Sequence, residues 1–170
     1  MSYFRLALAK SLTIQRNYYI PTLFLYHFQD MNSIASLLQC VEFAAIKHRN
    51  QRRKDGGKTP YINHPINVAT ILAVEANIHE EDVLKAALLH DTVEDTDTTF
   101  EEIEGLFGKD ICEIVREVTD DKSLEKQERK RLQIVHAATS SRKAKLVKLS
   151  DKLSNLRDLQ KTLPDTWTEV

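Results

Sequence analysis

EDVLKAALLHDTVEDTD, residues Glu81–Asp97, is the stretch on which the reading of this chain turns. Val83, Ala86, Ala87, Leu88 and Val93 fall largely on one stripe at helical spacing, and neither Gly nor Pro interrupts the run. The expectation is a helix through the whole stretch. Its C-terminal part holds the doublet His90-Asp91 and then Glu94-Asp95. Residues four apart share a helix face, so His90 is expected beside Glu94, and Asp91 beside both Glu94 and Asp95. One imidazole and three carboxylates then crowd together directly after an apolar run. Such groups repel one another and resist burial unless a cation compensates them. A metal site is the economical explanation.

The rest of the composition supports one compact helical body. At 170 residues and 42% hydrophobic, the chain can bury a single substantial core. Only four Gly and four Pro occur, with no sustained period-two alternation, which points to an all-α domain. Lys+Arg 24 against Asp+Glu 25 leaves a formal charge of −1 and argues against a globally basic nucleic-acid binder. Cys40 and Cys112 each sit in an apolar helical pattern. They read as buried thiols rather than a disulfide framework, which favours a reducing, cytoplasmic setting.

Residues 1–30 differ from the remainder of the chain. The first acidic residue is Asp30, while Arg5, Lys10 and Arg16 stand among Ser, Thr and aromatic residues. That is the composition of a mitochondrial transit peptide. The plainer expectation is a poorly ordered N-terminal extension, with Met31 placed to serve as a second start. YYIPTLFLYHF is too short, and too broken by Pro21, to span a bilayer. The expected division is therefore an extension over 1–30 and a globular domain over 31–170.

Within that domain, Ser33 is placed to cap a helix carrying Ile34, Leu37, Leu38, Val41, Ala44 and Ala45. It runs out into HRNQRRKDGGKTPYINHP, a basic loop with a glycine turn. Pro65 suits the first turn of the next helix and sets His64 at its entrance. Beyond the central stretch, Thr99 with Glu102 fits a capping box, and Gly108 closes the short helix it opens. KDICEIVREVTDD is the next expected helix, with Ile111, Ile114, Val115 and Val118 in the core. EKQERKRLQIVHAA is a charged helix carrying Lys126, Arg129, Lys130 and Arg131, mostly solvated, with some placed to face an anion. SRKAKLVKLSDKLSNLRDLQKT is expected to pack through Leu146, Leu149, Leu153, Leu156 and Leu159. Asp151, Asn155 and Asp158 form a polar strip along the edge of that leucine face. An acid so near a core stripe needs a partner. Taken alone, Asp151 suggests a salt bridge. With His64, His90 and Asp91 it completes a set of two imidazoles and two carboxylates.

Such a donor set suits manganese, iron or zinc. A metal there would polarise a phosphoryl oxygen and ease the ionisation of water. Glu94 and Asp95 lie one turn on, close enough to orient that water or move its proton. Arg53, Lys54 and Lys126 would offset charge on a phosphorylated substrate.

RRKDGGKTPYINHP, AALLHDTVEDTDTT, VTDDK and KLVKLSDKLSNLRDL together resemble the HD-domain hydrolases of the RelA/SpoT kind, most closely the small metazoan SpoT homologues. The likeness runs from about Ile34 to Trp167. It implies a single all-α, HD-domain helical bundle that depends on one Mn²⁺ and hydrolyses the 3′-pyrophosphate of the alarmone ppGpp to GDP and pyrophosphate. The metal ligands it implies are His64, His90, Asp91 and Asp151, with Glu94 and Asp95 as catalytic acids. Arg53, Lys54, Lys126 and Asn155 would hold the nucleotide. The partner is then a small-molecule nucleotide, with neither nucleic acid nor membrane involved. An NADPH or general nucleotide phosphatase is the alternative enzyme, and a non-catalytic nucleotide- and metal-binding isoform is the alternative of another class. Two departures accompany the likeness. Ser154 stands where the animal members carry an aromatic residue. Those members also continue for a helix or more past Trp167, adding an arginine and a tyrosine to the pocket, so the C-terminal helices are expected to be missing here.

Overall fold

The structure is a computed structural model that describes the backbone of residues 22–55 and 57–161, and side chains from residue 33 onward. The expectation of a transit-like or poorly ordered extension over residues 1–30 lies outside the described residues for 1–21, and residues 22–30 are helical. The chain divides into two compact units, Met1–Asn32 and Ser33–Val170. The second contains every residue of the candidate site.

The described residues are helical, with no strand among them and one isolated bridge between Arg52 and Pro60. In order, the elements are α1 (Thr22–Lys47), α2 (Asn63–Thr70) running into a π-helical segment (Ile71–Glu75), α3 (Glu81–Leu89) and a single turn α4 (Thr92–Asp95). Next come α5 (Phe100–Phe107), α6 (Lys109–Val118), α7 (Lys126–Thr139) and α8 (Arg142–Lys161). This is the all-α bundle the periodicities call for. None of these helices is long and apolar enough to cross a membrane.

α3 sits at the centre, packed against α2, α6 and α8. Its Val83, Ala86, Ala87, Leu88 and Leu89 are all buried, because small and branched side chains on every face let three neighbours approach. Val68 and Leu72 from α2 and its π-helical extension, Ile103 from α5, Ile111, Ile114 and Val115 from α6, and Ala144 and Val147 from α8 complete the core. Cys40 and Cys112 are both free and buried, in keeping with the sequence reading. Thr99 caps α5 by accepting a 3.2 Å hydrogen bond from the Glu102 amide. Gly108, at φ 92°, closes that helix in a conformation a side chain would resist.

Three expectations fail, each for a local reason. First, Ser33 does not begin a helix; it lies inside α1, which is already helical from Thr22. The buried face of α1 runs through Cys40, Ala44 and the adjoining His48, while Ile34 and Leu38 are exposed. Second, Glu81–Asp97 is not one helix but is broken at His90-Asp91. His90 Nδ1 lies 2.7 Å from the Ala87 carbonyl, and the Thr92 hydroxyl donates 2.7 Å to the Leu89 carbonyl. Both carbonyls would otherwise accept backbone amides one turn on, so side-chain donors end the helix. Third, α8 packs only in part through its leucines: Leu146 rests against the core, but Leu149, Leu153 and Leu156 do not. Leu149 is 69% exposed and Leu156 60%, while Ala144, Val147, Ser150 and Ser154 are buried. The small residues let α8 approach α2 closely enough for the Ser150 hydroxyl to donate 2.9 Å to the Val68 carbonyl.

Candidate metal centre

The helix break creates the centre of the site. Asp91, at φ −100° and ψ −4°, leaves α-helical geometry. Its Oδ2 returns to 2.9 Å from His90 Nε2, although adjacent side chains on an unbroken helix diverge. From the first turn of α2, His64 Nε2 reaches 3.8 Å from the same Asp91 oxygen. From α8, Asp151 Oδ1 lies 3.1 Å from His64 Nε2 and 3.8 Å from His90 Nε2. Three separate segments thus bring two ring nitrogens and two carboxylate oxygens to one point, and the donor atoms of His64, His90 and Asp151 all lie within 4.8 Å of one another.

These residues fit a divalent cation. His90 Nδ1 is committed as a donor to the Ala87 carbonyl, so Nε2 is the nitrogen whose proton a cation would displace. That atom is buried and has no hydrogen-bond partner. Asp91 Oδ2 is near it but off the line a hydrogen bond needs, so both atoms face a shared point. His64 repeats the arrangement: Nδ1 meets the buried Ser154 hydroxyl at 3.1 Å and Nε2 faces the acids. The centre draws positive charge. Burial disfavours a charge on the His90 ring, yet Asp91 and Asp151 carry its pKa up to about 9. Burial pushes Asp91 upward too, but the His90 ring and the Tyr61 hydroxyl hold it well below the usual carboxylate range. Tyr61 Oη donates 2.6 Å to Asp91 Oδ2, and burial together with that carboxylate keeps it a phenol.

Of the two further acids, Glu94 is on the wall of the same cavity, about 320 Å³ in volume, together with Lys126 and Asn155. Burial, and then the neighbouring Asp91, raise its pKa, while Lys122 at 3.8 Å opposes the rise. Asp95 turns the other way. It borders a second groove of about 750 Å³ with Arg53, Lys54 and Gln51, and is held by Gln51 Nε2 at 2.8 Å and by the Lys122 ammonium. Tyr61, His64 and Asn155 line both spaces and join them. Arg53 donates to Asn155 Oδ1 at 3.1 Å and to Asp158 Oδ2 at 2.7 Å, and lies over the Tyr61 ring at 5.7 Å. Asn155 in turn donates 2.6 Å to Asp151 Oδ1. Lys54 and Lys126 are exposed at the rims.

The sequence reading missed Tyr61, Ser154 and Gln51 as members of this site. Ser154 was within reach, one helical turn from Asp151 on the same face. Tyr61 stands three residues before His64, but nothing in its spacing reveals that it bonds to Asp91. Gln51 gives no signal at all, because its partner is 44 residues away.

An all-helical scaffold with an adjacent histidine–aspartate pair, completed by a distant histidine and aspartate, defines the class. Residues 40–170 match the HD domain family, and the chain belongs to it. It is 67% identical over 135 residues to the guanosine-3′,5′-bis(diphosphate) 3′-pyrophosphohydrolase MESH1 of Drosophila melanogaster, covering 79% of this chain and 75% of the relative. It is 62% identical over 135 residues to the MESH1 of Homo sapiens, again covering 79% and 75%. A solved structure of a metazoan orthologue of SpoT, described as hydrolysing ppGpp and acting in starvation responses, superposes with a TM-score of 0.77 at 67% identity, covering 79% of this chain and 76% of that one.

Proposed function

We propose that this chain is a metal-dependent hydrolase that removes the 3′-pyrophosphate of ppGpp, giving GDP and pyrophosphate. One observation carries the reading: His64, His90, Asp91 and Asp151 converge beside an acid of raised pKa, in a chain 67% identical to a protein named for this reaction. The HD match over 40–170 supports assigning 31–170 to the hydrolase domain and 1–30 to an extension. Two free, buried thiols support a reducing, cytoplasmic compartment.

The geometry supports the following roles. His64, His90, Asp91 and Asp151 are the residues that would hold the divalent ion, which we assign as Mn²⁺ from their mixed nitrogen and oxygen donors. Such an ion supplies Lewis-acid polarisation of a phosphoryl oxygen and eases the ionisation of water. Glu94, whose pKa burial and Asp91 raise, accepts the proton of the attacking water at its carboxylate. The water oxygen bonds to phosphorus as the bond between phosphorus and O3′ breaks, and O3′ takes up the proton that Glu94 accepted as GDP departs. Asp95, clamped by Gln51 and Lys122, faces the groove where Arg53, Lys54 and Asn155 hold the nucleotide. Lys126 offsets substrate charge on the metal side.

The test is turnover. The purified chain with ppGpp and Mn²⁺ should release GDP and pyrophosphate in equal amounts, and a chelator should stop it. A folded, metal-loaded sample that turns over NADPH or GTP but not ppGpp would overturn the assignment.

A further inference from the structure

The end of α1 carries a chain of polar side chains that leads to Asp95 from behind. His48, the residue after α1, is buried, with its backbone amide on the Ala44 carbonyl at 3.0 Å. Its Nδ1 lies 2.7 Å from Gln51 Oε1, and Gln51 Nε2 donates 2.8 Å to Asp95 Oδ2. The last contact fixes the others. An ionised carboxylate only accepts, so the Gln51 amide turns its NH2 to Asp95 and its oxygen to His48. That oxygen only accepts as well, so His48 Nδ1 must carry a proton and donate it. Burial lowers the His48 pKa, opposed by Gln51, Asp91 and Asp95, so at pH 7 the ring is neutral and Nδ1 holds its one proton. Nε2, buried and without a partner, is left as a lone pair.

The backbone stiffens this arrangement. The Gln51 amide donates 2.9 Å to the His48 carbonyl, and the Gln51 carbonyl accepts 3.1 Å from the Tyr61 amide. Asp95 Oδ1 meets the Lys122 ammonium, so both oxygens of that carboxylate are held. Lys47, just before His48, pairs with Asp97 at 3.2 Å and Glu102 at 2.9 Å. The end of α1 therefore grips the chain on both sides of Thr96, immediately after Glu94.

We infer that His48 is a positioning residue of the hydrolytic site: its Nδ1–H anchors the Gln51 amide, which in turn holds the Asp95 carboxylate toward the nucleotide groove. The inference rests on the hydrolase reading and extends it to a residue that touches no substrate. Without the His48 donor, the rotatable bonds of Gln51 are released, and the hydrogen bond to Asp95 is made only part of the time.

The experiment uses the full Mn²⁺-loaded chain with ppGpp. His48→Phe keeps a ring against Tyr61 but has no N–H, and should lower kcat/KM by about 3–10-fold, the worth of one neutral hydrogen bond. Its Tm and its affinity for Mn²⁺ should not fall. His48→Asn fills the space less well but carries an N–H as far from Cβ as Nδ1, and should recover most of the loss. A packing role predicts the opposite order. Gln51→Leu should cost about tenfold, and adding His48→Phe to it should cost nothing further. An active His48→Phe, a Phe variant more active than the Asn variant, or losses that add in the double variant would each overturn the inference. Nitrogen-15 NMR of the unmutated chain gives a readout independent of turnover, in which His48 should appear as the Nδ1–H tautomer. The Nε2–H tautomer overturns the clamp. If the chain fails to turn over ppGpp but shows the Nδ1–H tautomer, and His48→Phe shifts the Gln51 NH2 signals, the hydrolase reading falls and the clamp stands.

Discussion

The Ser154 hydroxyl lies 3.1 Å from His64 Nδ1 and accepts a 2.9 Å hydrogen bond from Asn67 Nδ2. Ser154 is fully buried, so no water replaces it. If Nε2 of His64 is to offer a lone pair to a cation, Nδ1 must carry the proton and donate it to this oxygen. Ser154→Ala therefore removes the oxygen that holds buried His64 Nδ1 and frees the ring to turn. Mn²⁺ affinity measured by calorimetry should fall by about 10–100-fold. Unaltered affinity would show that the ring is held by other contacts.

Metal binding should stabilise the fold, because the ligands are brought together only by packing α2 and α8 on α3. At a free ion concentration of 100 Kd, the stabilisation is about 2.7 kcal/mol. Thermal melts with and without Mn²⁺ should differ by several degrees for the native chain and not at all for His90→Ala. A Tm of His90→Ala that still rises with Mn²⁺ would place the ion elsewhere.

Glu94 and Lys122 give a pH-dependent pair of outcomes. A base must be ionised to work, and the Glu94 pKa is raised, so the acid limb of the rate profile should lie at higher pH than an unperturbed glutamate would give. Lys122 lowers that pKa. Lys122→Ala should consequently move the acid limb to higher pH. Glu94→Gln should keep the metal and lose about 10²–10⁴-fold in kcat. In the metal-free protein, a carboxyl whose pKa is raised on folding destabilises the fold progressively as pH rises past its unfolded value, so Glu94→Gln should raise Tm more at pH 7 than at pH 4.

Burial raises the Cys40 thiol to about 12, against a smaller lowering by Lys85. The thiolate is the reactive form, so native Cys40 should resist alkylation at pH 8 and label fully only after unfolding. Mass spectrometry of iodoacetamide-treated protein reads this directly. Rapid labelling of the folded chain would mean that α1 opens away from α3.

The helices themselves were legible because a 3.6-residue period is written locally. The capping of α5 by Thr99 and its closure at Gly108 are contacts within a few residues, and they stand where the pattern places them. The break at His90-Asp91 was not legible. Apolar spacing on either side is compatible with a continuous helix, and the interruption comes from two side chains taking the carbonyls of Ala87 and Leu89. The face of α8 was misread for a related reason. Its leucines and its small residues both recur at helical spacing, so periodicity does not choose between them; α2 chooses, by approaching closely enough to exclude the bulkier side.

By itself the sequence determined that this is a helical chain whose acids and histidines are too closely set against apolar runs to be left uncompensated, and its motifs placed it among the HD hydrolases. Only the tertiary structure decided which atoms meet. Tyr61 finds Asp91, Ser154 finds His64, and Glu94 and Asp95, neighbours in the chain, end on different cavities. Those pairings depend on the packing of helices brought together from distant parts of the chain, and residue spacing along one helix carries no information about the distance to another.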